Sequence, residues 1–383
     1  MIRATRIFIG ILVTLTFALH TQSAAEQGKS KTKSFSVGKG GSLQVFISEG
    51  DILISAWDKN EVLVKAIGIG DDETDGLTIS QSGSTVRVKS HASPESSDLR
   101  FDISVPSRFD IDIQTSSGDI DVQGSLVGNL KGSTSAGTIR LGNLGGTVSM
   151  STSGGDIETG SIQGDLELRT SGGDIRMGSV SGEADVSTAG GEITIDNVGK
   201  RLRAKTAGGN ISIGNVGGDA VVSTAGGNIV VGKVSGSASL TTAGGDIDLR
   251  SATGAVKATT AGGDLRFENI SGSVDGTTAG GDVHVQLVPG INGRSRLTSA
   301  SGDVHLYIPE KARATVNARI HIKGWWRSLS KEFDIHSDFK LENYEKDEHS
   351  REIRGTINLN GGGEVIFLET MMGNIEIRKA KQQ

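Results

Sequence analysis

The chain has 383 residues, of which 56 are glycine and 4 are proline, so it is neither collagen-like nor a proline-rich linker. Its aromatic content of 4% is too low for a conventional globular core of this length. Because cysteine is absent, we expect neither disulfide bonds nor a lipid-anchored cysteine. The formal net charge of −6 argues against nucleic acid and against anionic membrane surfaces as partners.

The N-terminal residues have the pattern of a secretory signal. Arg3 and Arg6 form a basic region, residues 7–19 are apolar, and small residues follow. We therefore expect a signal peptide over residues 1–25 and a linker over residues 26–33. The apolar run is shorter than the roughly 20 residues of a membrane span, but an uncleaved anchor is the alternative. No later stretch could span a membrane, so we expect the mature chain in the periplasm, on the cell surface or outside the cell.

Residues 34–114 alternate apolar and polar side chains in short runs, which turn signals separate. Short alternating runs separated by turn signals are typical of antiparallel strands. A repeat array needs an atypical terminal layer, because an open strand edge invites further strand addition. We therefore predict that this segment is an N-terminal β cap.

Residues 115–308 contain a repeat of the form Thr-Ala-Gly-Gly-Asp-Ile, which returns every 18 residues. A first copy begins at Thr115, 19 residues before the second. The threonines of the later copies are Thr134, Thr152, Thr170, Thr188, Thr206, Thr224, Thr242, Thr260 and Thr278.

Each period holds two short runs with alternating apolar residues, such as Ile193 and Ile195 in the first run and Ala184 and Val186 in the second. Two such strands can bury their apolar side only against the next copy. The fold class predicted is therefore all-β, a single-chain parallel β-solenoid with 18-residue coils. At a strand spacing of about 4.8 Å, nine intervals make a rod of roughly 43 Å.

Three ladders of equivalent residues run along the repeats. We expect the glycine pairs to supply positive φ at a corner that every coil turns. The threonines fall on the inner side, where their hydroxyls can satisfy corner amides. The Asp and Asn residues that follow the glycines are expected to bond nearby backbone, while calcium binding by stacked carboxylates is the alternative.

After the repeat, residues 309–356 form an irregular insert that contains Trp325 and Trp326, our candidate binding residues. The alternative is that the insert only plugs the open end of the rod. The motif returns in a final coil over residues 357–379, which a tail of residues 380–383 follows.

The ordered set of motifs resembles a bacterial β-strand-repeat family of unknown function, whose members are labelled "putative adhesins". The resemblance covers nearly all of the mature chain. It implies a β-solenoid with β-rich N-terminal and irregular C-terminal caps in a cell-envelope or surface setting, and it brings no catalytic residues. The segments that carry it are Glu49–Trp57, Ser104–Pro106, Thr115–Ile120, the Gly-Asp-Ile repeats, Tyr307–Pro309 and Ile357–Gly363.

Two Asp-x-His pairs, Asp282 with His284 and Asp303 with His305, occupy matching positions of two coils. Stacked on adjacent coils, they are candidate ligands for a transition metal, and duplication of one coil without function is the alternative. The sequence has no recognisable catalytic motif, and no long loops wall a cleft between residues 134 and 283. We therefore expect no catalytic residues, no cofactor and no enzyme activity.

These observations favour an exported, non-catalytic protein of the cell envelope or surface, an adhesin or structural scaffold. Envelope polysaccharide or surface components are the expected partners, and the oligomeric state stays open. A self-assembling β-helical scaffold is the first alternative. A polysaccharide-active β-helix enzyme is the second.

Overall fold

The computed structural model describes residues 30–38, 40–69, 76–91, 99–290, 293–322, 333–347 and 351–380. These residues contain 35 β-strands and no helix, so none of them forms a helix that could cross a membrane. The predicted signal peptide and the candidates Trp325 and Trp326 lie outside the described residues.

The strands are numbered in chain order. The N-terminal strands are β1 (Ser30–Ser36), β2 (Ser42–Ile47), β3 (Asp51–Trp57), β4 (Glu61–Ile67), β5 (Leu77–Ser82), β6 (Thr85–Ser90), β7 (Arg100–Pro106) and β8 (Asp110–Gln114). The central strands are β9 (Ile120–Leu126), β10 (Leu130–Ser133), β11 (Ile139–Leu144), β12 (Val148–Ser151), β13 (Ile157–Thr159), β14 (Leu166–Arg169), β15 (Ile175–Val180), β16 (Ala184–Ser187), β17 (Ile193–Val198), β18 (Leu202–Lys205), β19 (Ile211–Val216), β20 (Ala220–Ser223), β21 (Ile229–Val234), β22 (Ala238–Thr241), β23 (Ile247–Ala252), β24 (Val256–Thr259), β25 (Leu265–Ile270), β26 (Val274–Thr278), β27 (Val283–Leu287), β28 (Arg294–Ser299) and β29 (Val304–Ile308). The C-terminal strands are β30 (Ala314–His321), β31 (Ile335–Ser337), β32 (Asn343–Asp347), β33 (Glu352–Leu359), β34 (Glu364–Thr370) and β35 (Ile375–Lys379).

The central strands confirm the predicted parallel β-solenoid. Odd-numbered strands from β9 to β29 form one sheet, named sheet 1, and even-numbered strands from β8 to β28 form a second, named sheet 2. Each coil pairs in parallel with the next at an offset of one repeat, as in Ile193 with Ile211 and Leu202 with Ala220. The two sheets face each other across one continuous core.

The core consists of in-register ladders of branched aliphatic side chains. Ile193, Ile211 and Ile229 follow one another on sheet 1, and each is fully buried. On sheet 2, the larger Leu202 alternates with the smaller Ala220. Burying one such isoleucine contributes roughly 1.5–3 kcal/mol, so the stack of coils supplies the hydrophobic stabilisation that the scarce aromatic residues do not.

The N-terminal strands are not arranged in chain order, and most of them pair in parallel. β2 lies between β6 and β8, and β3 lies between β7 and β9, so one coil is inserted between two later ones. Antiparallel pairs occur only towards the outer edge, where β1 pairs with β4, β4 with β7 and β5 with β6. The expectation of an antiparallel region is therefore wrong for the inner layers, because they continue the solenoid.

The C-terminal end repeats this insertion. The coil of β34 and β35 lies between the coil of β28 and β29 and the strands β30 and β31. In the 309–356 segment, β30 forms an antiparallel pair with β33, which begins in this segment and ends at Leu359, and β32 adds to the outside of β33. The strands outside the final coil thus cover the end of the rod.

The buried carboxylate of Glu364 connects the inserted coil of β34 and β35 to the loop between β27 and β28, where the 18-residue spacing fails. Glu364 at the start of β34 is 1% exposed, and its Oε2 accepts a hydrogen bond of 2.8 Å from the amide of Gly290. Its Oε1 accepts a hydrogen bond from the hydroxyl of Ser295, which in turn accepts one from the amide of Val274. The loop between β27 and β28 is therefore held by a residue from the end of the chain.

Candidate functional site

The repeated corner between sheet 2 and sheet 1 is built on the threonine ladder. The hydroxyl of Thr152 donates to the carbonyl oxygen of Gly137 in the preceding coil at 2.9 Å and accepts from the amide of Gly155 in its own corner at 3.3 Å. The same two bonds recur at the later threonines, all of which are buried. This confirms the prediction that the threonines satisfy corner amides and adds that they tie neighbouring coils together.

The glycine pairs do not serve the predicted purpose. Among the described corner glycines of the repeat, only Gly118 has a positive φ, of 127°. The second glycine of each pair is needed for space instead, since a Cβ on Gly191 would lie 2.0 Å from the carbonyl oxygen of Gly173. A Cβ on the first glycine, Gly190, would meet its nearest atom at 3.4 Å. Close contact between coils, rather than left-handed backbone, therefore explains the ladder.

The Asp and Asn ladder also bridges coils. Oδ1 of Asp156 accepts from the amide of Asp174 at 2.8 Å, and Oδ1 of Asn210 accepts from the amide of Asn228 at 2.9 Å. An uncharged amide serves as well as a carboxylate, because only a hydrogen-bond acceptor is required. The ladder is a backbone-bonding device, as expected, although the amide it bonds lies in the next coil.

Of the four candidate metal ligands, the two aspartates belong to the Asp and Asn ladder, whereas the two histidines stack on each other. Oδ1 of Asp282 accepts from the amide of Asp303, and Oδ1 of Asp303 accepts from the amide of Asn374. The imidazoles of His284 and His305 stack, with centroids 4.2 Å apart and planes inclined by 16°. Within the described ranges, no group of three or more His, Asp or Glu side chains is placed to hold a metal ion.

The histidine pair is part of a longer row that sequence reasoning missed. His305 is in register with Glu376 of β35, whose carboxylate lies 3.4 Å from Nδ1 of His305, and Glu376 is in register with His336 of β31. Spacing along the chain does not reveal this row, because the final coil is inserted out of order. Burial, followed by the nearby His305, lowers the pKa of His284, whose Nδ1 is buried without a hydrogen-bond partner among the described residues.

The outer face of sheet 1 carries shallow depressions over a row of glycines. One of 440 Å³ lies over Gly142 and Gly160. A larger one of 740 Å³ lies over Gly214 and Gly232, between β17 and β25, and we name it the trough. Depressions of 590 and 290 Å³ occur on sheet 2.

No curated protein matches the chain. Similar solved structures include a "putative cell adhesion protein" from Clostridium sporogenes, which is 9% identical, with 92% of this chain and 100% of that chain covered and a TM-score of 0.19. A "putative adhesin" from Parabacteroides distasonis is 14% identical, with 67% and 98% covered and a TM-score of 0.32. A "putative lipid binding protein" from the same species is also 14% identical, with 64% and 96% covered and a TM-score of 0.32. Superpositions this loose say nothing about what this chain does.

The family model named Toastrack DUF4097 matches twice, over residues 23–213 and 197–378. The overlap falls on the end of β17, on β18 and on the start of β19, where the coils continue in register without a break. The two matches therefore describe one uninterrupted rod and cover most of the sequence. The resemblance to a bacterial β-strand-repeat family is confirmed, and the chain belongs to the Toastrack DUF4097 family.

Proposed function

We propose that this protein is an exported, non-catalytic adhesin or scaffold of the cell envelope, which binds envelope polysaccharide or another surface component along its outer faces. The proposal rests on one observation: the interior of the rod is filled, and its repeated polar outer faces are what a partner can reach. Inward residues such as Ile211 and Leu202 are fully buried, so a partner of the central rod meets only the outward rows. Each outward row presents one side chain per coil, at steps of about 4.8 Å.

One edge strand at each end of the rod favours this role over self-assembly. The edge strand β1 carries Lys31 and Lys33, and the edge strand β32 carries Glu345 and Lys346. Charged side chains on edge strands oppose the addition of another chain. Binding along the sides of the rod is therefore better supported than growth from its ends.

Binding and fractionation together test the proposal. The purified protein is incubated with isolated envelope polysaccharide from the producing cells, and retention and polymer length are measured. We expect retention without any shortening of the polymer, and we expect cell fractionation to find the protein in the periplasm, in the outer envelope or in the medium. Failure to bind any envelope polymer, together with unchanged attachment of cells that lack the protein, would overturn the adhesin role. Shortening of the polymer would overturn the non-catalytic one.

A further inference from the structure

The trough on sheet 1 has a floor made of backbone. A Cβ on Gly214 would lie 2.1 Å from the carbonyl oxygen of Asp196, and one on Gly232 would lie 2.4 Å from that of Gly214. The coils approach so closely here that no side chain fits between them. Asp196 and Arg250 occupy the equivalent position in the coils on either side of Gly214 and Gly232. Their side chains stand at the two ends of the glycine floor.

These end groups have no partner among the described residues, in contrast to several other charges on this face. Asp196, Arg250 and the neighbouring Glu268 make no hydrogen bond through their side chains and no ion pair with any described residue. In the smaller depression, which also has a glycine floor, Arg140 pairs with Asp119 at 3.2 Å. A glycine floor is thus common to both depressions, whereas charged side chains of opposite sign without a partner among the described residues line the trough.

The geometry of the trough fits an extended ligand. Asp196 and Arg250 are three coils apart, a separation of about 14 Å at the strand spacing. Along one side, the side-chain Nδ2 of Asn215 donates a hydrogen bond of 2.8 Å to the side-chain Oδ1 of Asn197. On the other side, Val230 is 45% exposed and offers an apolar contact. The lining therefore combines hydrogen-bonding groups at both ends with one exposed apolar side chain along its side.

The charges decide which ligand suits this lining. A hydroxyl both donates and accepts, so a polyhydroxylated chain can satisfy the Asp196 carboxylate and the Arg250 guanidinium together. Of the unpaired groups that line the trough, a polyanion would satisfy only Arg250, and Asp196, Glu268 and the net negative charge of the protein would repel it. Burial is the main cause that raises the pKa of the adjacent Asp248.

We propose that the trough between Asp196 and Arg250 is a binding subsite for a short segment of a neutral polysaccharide, an inference that rests on the proposed adhesin function. The segment lies along the row of glycines, with hydroxyls at both charged ends and the apolar face of a sugar ring against Val230. The outward rows elsewhere on the rod then contribute little to affinity.

The test uses neutral and acidic polysaccharide fractions of the producing cells' envelope as probes. The wild-type protein is expected to bind the neutral fraction, and the double variant Asp196→Ala/Arg250→Ala to bind it at least about tenfold more weakly. The matched control is Asp275→Ala/Arg203→Ala, which removes two outward charges from sheet 2. Because all four side chains lack partners among the described residues, both variants should keep the wild-type melting temperature.

The outcomes separate the subsite from the adhesin function. Equal binding by the wild-type protein and the trough variant would refute the subsite while leaving surface binding intact. Preference for the acidic fraction would refute the neutral ligand. If the wild-type protein itself bound neither fraction, both the proposed function and the subsite would be refuted.

Discussion

The hydroxyl of Thr206 donates a hydrogen bond of 2.9 Å to the carbonyl oxygen of Gly191 in the preceding coil. It also accepts one of 3.4 Å from the amide of Gly209 in its own corner. One side chain, 2% exposed, thus satisfies two backbone groups that no strand pairs. The threonine that marks the repeat therefore helps to hold neighbouring coils together.

Replacing Thr206 by valine should therefore destabilise the rod. The variant keeps the shape of the side chain but leaves a buried carbonyl and a half-buried amide unpaired, at a cost of about 1–3 kcal/mol. Urea unfolding followed by circular dichroism measures the change. Thr194→Val, at an outward and exposed position, is the control and should shift the free energy of unfolding by less than about 0.5 kcal/mol. Equal effects of the two variants would contradict the role of the ladder.

The two glycines of a corner should respond differently to alanine. Gly191→Ala places a methyl group 2.0 Å from a carbonyl oxygen and must force two coils apart, so a loss of about 1–3 kcal/mol or more is expected. Gly190→Ala has 3.4 Å of space and should cost less than about 1 kcal/mol. Thermal unfolding of both variants checks the order, and a larger loss for Gly190→Ala would show that backbone conformation matters more than space.

Glu364 should be sensitive even to an isosteric change. In Glu364→Gln, the new amide can accept from only one of its two donors, Gly290 or Ser295, so a cost of about 1–3 kcal/mol is expected. Hydrogen exchange at the amide of Val274, which bonds to Ser295, should accelerate as well. Glu369→Gln, on the outward side of the same strand, is the control. An unchanged exchange rate at Val274 would mean that Glu364 does not hold this loop.

The stacked histidines should make stability depend on pH. The folded pKa of His284 lies below its ordinary value because of burial and then of the adjacent His305, with a smaller contribution from Arg266; Asp282 and Asp264 oppose the shift. The unfolded chain therefore binds more protons than the folded one as the pH falls through about 6.5, and stability decreases there. The fall in melting temperature between about pH 7.5 and about pH 5.5 should be smaller in His284→Gln than in the wild-type protein. An equal fall in both would exclude His284 as the cause.

The sequence by itself determined the central rod. An 18-residue period with inward Ile193, Ile211 and Ile229 leaves each copy only one way to bury its apolar side, against the next copy at the same register. The inner placement of Thr206 follows from the same alternation. Local pattern and long-range contact coincide in this part of the chain, so the prediction succeeds.

Only the tertiary structure decided the ends and the outer faces. Where the 18-residue period fails, the partners of a strand depend on which layers cover exposed edges. The final coil, for example, brings Glu376 beside His305 across 71 residues of chain. Glycine spacing likewise could not distinguish a turn that needs positive φ from a close approach of coils, because both exclude a Cβ. The difference between Asp196, which is unpaired, and Asp119, which is paired, depends on side-chain positions in neighbouring coils, and these exist only once the coils are stacked.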